Sequence, residues 1–427
     1  MRRVSRLIVV FIISSLLFIF IYVSLNLEAA YRPKAVLEDF MRHFNDQVQD
    51  NVVTIHFSKT NVFSVPPDVG SVSVSDGFRT IIPVNSAYWN RQLHSVLRQL
   101  DNGEDFLQRN SDWSHCEDTN QDQLQTNIHD FSSYPYMFQE FVRGMHCISA
   151  PILISQTHKC TSNMDNQDNQ IFLLFAIKSS PENFVQRQAV RETWGREGVY
   201  LSGLRVRTVF LLGSAALDDP ILSPLLSFEA NQYGDLLQWD FLDSFFNLTL
   251  KFRMFLHWSL KNCPHVSFVF NGDDDVFVNT PAILRYLTSL DPSKASQIYM
   301  GDVIRTARPH RNPKIKYYIP VSFYDGPYPE YTGGGGFVFS GSLLQPLYSI
   351  SRVIPFYPID DVYTGMCVKA LGIVPKAHTD FHTFDIKKED RENLCVHKYL
   401  FLAHQRTPQE IKKLWKGIHN GSLICRT

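Results

Sequence analysis

The stretch Val266-Ser-Phe-Val-Phe-Asn-Gly-Asp-Asp-Asp-Val276 carries an apolar run directly into three consecutive acids. The apolar residues predict a buried strand over 266–270, and ligands of open α/β sheets bind at the carboxyl ends of strands. Asp273 and Asp275 occupy alternate positions, so both can reach one divalent cation such as Mg²⁺ or Mn²⁺, while Asp274 points elsewhere. A solvated acidic turn is the alternative interpretation of the same residues.

Apolar runs and helix-start signals alternate from residue 171 onward, which predicts an α/β domain. Residues 171–177 form a continuous apolar run, as expected for a strand that is buried on both faces. Ser180-Pro181-Glu182 and Thr280-Pro281 combine a capping side chain with a proline in the first turn, so each predicts a helix start. The further predicted elements are strands over 208–212 and 236–241 and a helix over 248–260.

The chain of 427 residues is long enough for one large globular domain with accessory segments, and 44% of it is hydrophobic. Its formal net charge is -1. A protein that binds nucleic acid neutralises phosphates with a surplus of basic residues. The composition therefore argues against a nucleic-acid partner.

Residues 7–25 are almost wholly apolar and follow Arg2, Arg3 and Arg6. About 20 apolar residues span a bilayer as a helix, whereas the apolar core of a cleaved signal peptide has about 7–15. We therefore predict an uncleaved transmembrane signal anchor, with a cleaved signal peptide as the alternative. Positive charge on the short amino-terminal side predicts a cytosolic tail over 1–6 and a lumenal chain after the anchor.

Two sequons, Asn247-Leu-Thr249 and Asn420-Gly-Ser422, fit a lumenal location. The cysteines show no metal-binding spacing, and in an oxidising compartment they predict up to three disulfides with one thiol left over. The sequence leaves their pairing open. The seven cysteines are Cys116, Cys147, Cys160, Cys263, Cys367, Cys395 and Cys425.

Composition divides the chain after the anchor into three segments. Residues 26–85 are mixed, with Pro66-Pro67 and few helical faces, and we predict a stem there that holds the rest away from the membrane. Residues 86–169 predict an ordered extension, with a helix over 87–110 followed by a polar part. The α/β domain itself is expected over residues 170–427.

Three further groups have chemical potential. Gly333-Gly-Gly-Gly336 lies between aromatic residues, where glycines let the backbone approach a ligand closely; a flexible linker is the alternative. Asp360 and Asp361 open a predicted helix, where Asp360 is expected to act as a cap. A carboxylate at this place can instead act as general base beside a sugar hydroxyl. His404 follows an apolar run, and on its own it is interpreted as structural.

Six motifs follow one another along residues 171–416. They are Arg187-Gln-Ala-Val-Arg191-Glu-Thr-Trp194-Gly195, Phe210-Leu-Leu-Gly213, Asp243-Ser-Phe-Phe-Asn247-Leu-Thr-Leu-Lys251, Asp273-Asp-Asp275-Val-Phe-Val-Asn279, Tyr328-Pro-Glu-Tyr331 with the glycines after it, and Asp360-Asp361-Val-Tyr-Thr-Gly365. In these motifs and in their order the chain resembles the inverting β-1,3-glycosyltransferases of the animal Golgi. That family contains β-1,3-galactosyltransferases and β-1,3-N-acetylglucosaminyltransferases.

Within the family the chain is most similar to the N-acetyllactosaminide β-1,3-N-acetylglucosaminyltransferases. Four glycines followed by Phe337 are their form of the glycine motif, where galactosyltransferase relatives typically carry Ser-Gly-Thr-Gly. Ala87-Tyr-Trp-Asn-Arg91 and the cysteine positions extend the resemblance upstream. Asn271 departs from it, since many relatives have lysine at this position, but the change removes no candidate ligand.

The resemblance implies a GT-A fold, in which a Rossmann-like central sheet binds a UDP-sugar and Mn²⁺ or Mg²⁺. It makes Asp275 a direct metal ligand, places Asp273 at the metal or the ribose, and makes His404 a further ligand, contrary to its interpretation in isolation. Asp361 becomes the base that takes the proton of the acceptor's 3-hydroxyl. The resemblance also implies a nucleotide-sugar site, whose residues are Arg187, Arg191, Asp243, Lys251, Asp273, Asp274, Gly334 and Gly335. For Arg187 and Arg191, a salt-bridged surface remains the alternative.

The implied function is transfer of GlcNAc from UDP-GlcNAc in β-1,3 linkage to the terminal galactose of lactosamine-type acceptors on a glycoprotein or glycolipid. The protein would be a single-pass type II protein of the Golgi membrane, where other glycosyltransferases are candidate partners. One alternative keeps the chemistry and uses UDP-galactose. An alternative of another class is an inactive binding partner of other transferases, and the intact Asp273, Asp275 and Asp361 argue against it.

Overall fold

The computed structural model describes residues 72–103, 113, 121–161, 170–201, 203–215, 220–384 and 386–425. The predicted cytosolic tail, the predicted anchor over 7–25 and the stem up to residue 71 lie outside the described residues. Within the described ranges, no helix is both long enough and apolar enough to cross a membrane.

Strands and helices alternate along most of the described chain, as the sequence predicts for an α/β domain. The strands are β1 Ile152–Ile154, β2 Ile171–Lys178, β3 Gly198–Tyr200, β4 Leu204–Ser214, β5 Leu236–Leu242, β6 Phe268–Asp273, β7 Phe277–Val278, β8 Tyr299–Gly301, β9 Val303–Ile304, β10 Tyr331–Thr332, β11 Gly336–Ser340, β12 Lys376–Ala377, β13 Phe381–His382 and β14 Leu402–Ala403. The α-helices are α1 Asp76–Ile81, α2 Tyr88–Asp101, α3 Gln121–Asn127, α4 Tyr136–Gly144, α5 Phe184–Glu192, α6 Leu222–Tyr233, α7 Leu248–Asn262, α8 Thr280–Thr288, α9 Pro292–Ala295, α10 Leu344–Ile350, α11 Asp360–Ala370, α12 Leu394–Tyr399 and α13 Pro408–Ile418.

A large mixed sheet organises these elements. Its strands lie in the order β1-β5-β4-β2-β6-β11-β8-β12, and β3 pairs with β4. Strands β5, β4, β2 and β6 are parallel, whereas β11 runs antiparallel to both β6 and β8. The chain moves outward from β2 through β4 to β5 and then returns to β6 on the other side of β2. The strand order therefore reverses between β2 and β6, the kind of place where open α/β sheets bind ligands.

Strand β2 shows why the sheet is covered on both faces. Leu173, Phe175 and Ile177 pack into one apolar core, and Leu174 and Ala176 pack into the other. Successive side chains of a strand point to opposite faces, and all five are fully buried. The prediction of a strand over 171–177 that is buried on both faces is confirmed.

The residues upstream of β1 pack onto the sheet domain. The indole Nε1 of Trp89 is buried and donates to the carbonyl oxygen of Pro355 at 3.1 Å. The Ser75 hydroxyl donates to the carbonyl oxygen of Lys369 in α11 at 2.7 Å. Residues 72–85 therefore belong to the folded unit and not to the stem predicted from the sequence.

Helix starts are where the sequence prediction departs most from the structure. Helix α5 begins after Asn183 rather than at Ser180, because the Ser180 carbonyl accepts a hydrogen bond from Arg187 and the chain stays in a turn there. Helix α8 begins at Thr280 but is capped by Asn279, whose side chain accepts from the backbone N–H of Ala282. Helix α2 is also shorter than the predicted helix over 87–110.

Disulfides connect parts of the chain that are distant in sequence. Cys367 is a free and buried thiol, and burial raises the pKa of Cys367 to about 12, so the thiol stays protonated and unreactive. Cys160 is bonded to Cys263, and Cys395 is bonded to Cys425. Cys147 also forms a disulfide. Cys116 lies outside the described residues.

We expect loss of the Cys160–Cys263 disulfide to destabilise the fold more than loss of Cys395–Cys425. The two bonds close loops with sequence separations of 103 and 30 residues. The longer loop restricts the unfolded chain more, by about 1 kcal/mol in the chain-entropy model. Urea denaturation of the two double Cys→Ala variants measures this difference. Equal losses of unfolding free energy would show that the unfolded-chain constraint is not the source of the stabilisation.

Candidate active site

An open cleft lies where the strand order reverses, at the carboxyl ends of β2 and β6. Lys178 ends β2 and Asp273 ends β6, and the two residues are neighbours in the sheet. The cleft measures about 470 Å³, a volume typical of small-molecule sites. It brings together residues that the sequence keeps far apart. The predicted site residues that line it are Asp243, Lys251, Asp273, Asp274, Asp275, Gly334, Gly335, Asp361 and His404.

Asp273, Asp275 and His404 form a candidate metal site. One ligand atom from each lies within 4.8 Å of the others. His404 Nε2 is 3.2 Å from Asp275 Oδ1 and 3.6 Å from Asp273 Oδ2. Two carboxylates and an imidazole at these distances fit a divalent cation with oxygen and nitrogen ligands.

The orientation of His404 is set by Thr383 and Gly335. His404 Nδ1 is 2.8 Å from the carbonyl oxygen of Thr383. A carbonyl oxygen can only accept, so Nδ1 carries a proton, and Nε2 is the ring atom that faces the carboxylates and would bind a cation. Gly335 leaves room for the ring, because a Cβ at this position would lie 2.9 Å from its Cγ and Nδ1. The glycine motif is therefore part of the cleft wall, where it leaves room for His404, and is not a flexible linker.

Asp274 points away from the metal site, as predicted. Its Oδ2 accepts from Ser179 Oγ at 2.6 Å and from Asn183 Nδ2 at 3.0 Å. Burial raises the pKa of Asp274 to about 6, although these hydrogen bonds act in the opposite direction. The carboxylate thus fastens the acidic loop to the chain that follows β2.

Lys178 is the main residue that sequence reasoning missed. Its buried ammonium lies 3.0 Å from Asp273 Oδ1 and 2.9 Å from Asp360 Oδ2, and it donates to the Gly334 carbonyl at 3.1 Å. Burial disfavours the charge, but the two carboxylates raise the pKa of Lys178 above its usual value. The signal in the sequence was a single lysine at the carboxyl end of a fully apolar strand.

Asp360 does not cap α11, in contrast to the prediction, because its carboxylate binds Lys178 instead. The neighbouring Asp361 lines the cleft and accepts from the backbone N–H of Val362 at 2.7 Å. Burial and then the charge of Asp360 raise the pKa of Asp361 to about 7, while Lys178 acts in the opposite direction. A carboxylate with a raised pKa in a cleft suits a proton acceptor that works near neutral pH.

Arg187 and Arg191 are absent from the lining of the cleft as far as the described residues show. Arg187 is fully buried and binds Glu229 through two hydrogen bonds of 2.9 and 2.6 Å. Arg191 binds Asp235 in the same way, at 2.7 and 2.8 Å. These contacts favour the salt-bridge alternative. Arg187 supports the cleft indirectly, since it also donates to the Ser180 carbonyl at 2.6 Å.

Asp243 and Lys251 line the cleft as an ion pair. Lys251 Nζ lies 2.8 Å from both carboxylate oxygens of Asp243 and donates to the carbonyl oxygen of Ser179 at 2.7 Å. Asp243 also accepts from the backbone N–H of Gly213 at 2.7 Å. The pair thus holds three segments of the cleft wall together.

The two sequon asparagines differ in exposure. Asn247 is half-buried, and its Nδ2 donates to the Leu242 carbonyl at 2.9 Å. Asn420 is exposed, near the end of the chain. The structure thus leaves the Asn420 side chain open to solvent, whereas the Asn247 amide already has an acceptor.

Comparison with known proteins places these motifs in a family. Residues 185–379 match the galactosyltransferase family model. The chain is 44% identical over 349 residues to the N-acetyllactosaminide beta-1,3-N-acetylglucosaminyltransferase 2 of Mus musculus and to that of Homo sapiens, in alignments that cover 79% of this chain and 86% of each relative. The chain belongs to the galactosyltransferase family. It is a glycosyltransferase, and the family resemblance of its motifs is confirmed.

Other similarities agree with this family. The UDP-GlcNAc:betaGal beta-1,3-N-acetylglucosaminyltransferase 8 of Homo sapiens is 39% identical over 352 residues, which cover 81% of this chain and 84% of that protein. The solved apo structure of the bifunctional glycosyltransferase WbbM aligns with 61% of this chain and 51% of that chain, at 10% identity and a TM-score of 0.34. The likeness to WbbM is too slight to support a conclusion.

Thr383, Lys316 and Tyr317 also line the cleft of this glycosyltransferase, and sequence reasoning missed them. Thr383 accepts from the backbone N–H of Gly335 through its hydroxyl at 3.2 Å and orients His404 through its carbonyl. These residues stand outside the motifs and outside periodic segments, so only the fold shows that they belong to the site.

We expect Asp275→Ala to weaken Mn²⁺ binding to the glycosyltransferase by about tenfold or more, because it removes one of three ligand side chains. Asp274→Asn is the matched control, since Asp274 lies in the same loop but binds Ser179 and Asn183. The control should bind Mn²⁺ within about twofold of the unsubstituted protein. Electron paramagnetic resonance titration of free Mn²⁺ measures both affinities. Equal weakening in the two variants would contradict the assignment of Asp275 as a ligand.

Proposed function

We propose that this glycosyltransferase transfers GlcNAc from UDP-GlcNAc to the 3-hydroxyl of a terminal galactose on lactosamine-type acceptors, which extends poly-N-acetyllactosamine. The proposal rests on the placement of Asp361 in one cleft with Asp273, Asp275 and His404. The choice of donor and acceptor is supported by 44% identity to relatives that are named N-acetyllactosaminide beta-1,3-N-acetylglucosaminyltransferases.

We also propose a GT-A architecture in the Golgi lumen, behind a membrane anchor over residues 7–25. The four parallel strands and the reversal of strand order at the cleft support a Rossmann-like nucleotide-binding sheet. The carboxylates of Asp273 and Asp275 support Mn²⁺ or Mg²⁺ as the cation. Disulfides such as Cys160–Cys263 support an oxidising compartment.

In the proposed reaction Asp361 accepts the proton of the acceptor's 3-hydroxyl group. The hydroxyl oxygen attacks the anomeric carbon of GlcNAc as the bond to the β-phosphate oxygen breaks, and the electron pair leaves with UDP. One displacement converts an α-linked donor into a β-linked product without a covalent intermediate. A cation held by the two carboxylates and His404 would neutralise the charge that the leaving diphosphate gains.

The neighbours of Asp361 prepare it for this role. Burial and the charge of Asp360 raise its pKa, so its carboxylate binds a proton more strongly than an ordinary aspartate does. Lys178 binds Asp360 and thereby holds the start of α11 beside the end of β2. Gly334 leaves space before the carboxylate, since a Cβ there would lie 3.4 Å from Asp361 Oδ2.

The first test supplies the full-length protein in detergent with Mn²⁺, N-acetyllactosamine, and either UDP-GlcNAc or UDP-galactose. We expect a product only from UDP-GlcNAc, with a β-1,3 linkage established by NMR. Transfer of galactose alone would favour the alternative donor. No transfer from either donor, despite Mn²⁺-dependent UDP binding, would contradict the proposed acceptor.

We expect Asp361→Asn to lower the rate of GlcNAc transfer by about two to four orders of magnitude, because the amide cannot accept the proton. UDP should still bind in the presence of Mn²⁺ with nearly unchanged affinity, as calorimetry can measure. If this variant instead loses UDP binding, Asp361 belongs to the nucleotide site and its assignment as base is wrong.

The pH dependence of kcat/KM should report the ionisation of the Asp361 carboxyl group. The group must be ionised to act, and its pKa is raised to about 7, so activity should fall as the pH drops through neutrality. Asp360→Asn removes a charge that raises this pKa, and should move the fall to lower pH by roughly one unit. Lys178→Met removes a charge that lowers it, and should move the fall to higher pH. Shifts of the same sign in both variants would contradict this account.

A further inference from the structure

Lys316 is a cation in the cleft to which the described structure gives no carboxylate partner. The other two lysines of the cleft lining, Lys178 and Lys251, are buried in ion pairs. Lys316 Nζ lies instead 5.2 Å from the ring centre of Phe245 and 4.8 Å from that of Tyr317. An ammonium over aromatic rings keeps hydrogen-bond donors free for an anion.

Lys316 belongs to an exposed basic loop, which we define as residues 305–318. The basic loop contains no acidic residue, although the whole chain has a net charge of only -1. Two of its arginines form salt bridges, Arg305 with Glu330 at 3.7 Å and Arg311 with Asp325 at 3.4 Å. The charged or titratable residues of the loop, all exposed, are Arg305, Arg308, His310, Arg311, Lys314 and Lys316, together with the exposed Tyr317 and the half-buried Tyr318.

The basic loop reaches the cleft on the side of Asp361. Lys316, Tyr317 and Asp361 line the same cleft, and Tyr331 packs closely against Gly365 of α11, the helix that begins at Asp360. Tyr331 also pairs with Ile304, the residue before the loop, and Ile304 lines the cleft with Lys316. Asp361 marks the place where the acceptor hydroxyl loses its proton. An acceptor in front of Asp361 would therefore lie against Tyr317 and Lys316.

We propose that Lys316 and Tyr317 form an acceptor subsite for glycans with an anionic group on the sugar next to the terminal galactose. The inference rests on the proposed function and adds the charge class of the acceptor. The rings of Phe245 and Tyr317 offer apolar surface to a sugar, and the ammonium forms a charge-assisted hydrogen bond with the anion. The remaining charges of the basic loop attract anionic acceptors to the cleft.

A sulfate ester and a carboxylate present the same charge, so the test has two arms. The first compares kcat/KM of the full-length protein for N-acetyllactosamine and for the same disaccharide with a 6-sulfate on its GlcNAc. The second compares lactitol with lactobionate, which places a carboxylate next to the galactose. We expect the anionic member of at least one pair to be preferred by about three- to tenfold at low salt. Added NaCl should reduce the preference, because salt screens exposed charges.

Variants of the basic loop connect the preference to Lys316. Lys316→Met should bring the ratio of anionic to neutral kcat/KM close to one, and Lys316→Arg should retain most of it. Lys314→Met is the matched control, because it removes the same charge from the same loop at a residue that does not line the cleft. Its effect on the ratio should be clearly smaller.

The outcomes separate this inference from the proposed function. A preference for the sulfated or for the carboxylated acceptor that Lys316→Met removes supports the subsite and identifies the anion. Equal kcat/KM for both members of each pair overturns the inference and leaves GlcNAc transfer in place. A raised KM for UDP-GlcNAc in Lys316→Met, with an unchanged acceptor ratio, assigns Lys316 to the donor and also overturns it. Absence of transfer to every acceptor would contradict the proposed function itself.

Discussion

The arrangement of the cleft depends on one buried ammonium group, that of Lys178. Its contacts reach the acidic loop through Asp273, the glycine motif through Gly334 and the start of α11 through Asp360. Removing one member of a buried ion pair typically costs about 3–5 kcal/mol, because the other charge is left without compensation. The candidate base and the candidate metal site are therefore positioned by the same charge, and neither can move without affecting the other.

A second set of contacts stabilises the chain next to Lys178 and the acidic loop. Asp274 binds Ser179, the residue after Lys178, and Arg187 donates both to the Ser179 hydroxyl and to the Ser180 carbonyl. Arg187 thus supports the chain that follows β2. Its buried pair with Glu229 fixes the guanidinium for this purpose.

The sequence predicts those parts of the molecule that local chemistry determines. The apolar run of β2, the acidic loop and Asp361 stand in patterns of a few residues, and the structure places all of them at the cleft. The roles of Lys178 and Arg187 were not predictable, because their partners lie 182 and 42 residues away. The start of α5 was missed for another reason, since the turn at Ser180, which accepts a hydrogen bond from Arg187, competes with the local capping signal.

The part of the chain that the family model matches, residues 185–379, begins after β2 and ends before β14. A fragment cut at those limits would lack the strand in the middle of the sheet. It would also lack Lys178, His404 and α2, the upstream helix that carries the buried Trp89. The region that the family model matches is therefore smaller than the physical unit that folds. Expression boundaries for this enzyme have to follow the packing, and they have to include Ser75, which binds Lys369, and Cys425, which forms a disulfide with Cys395.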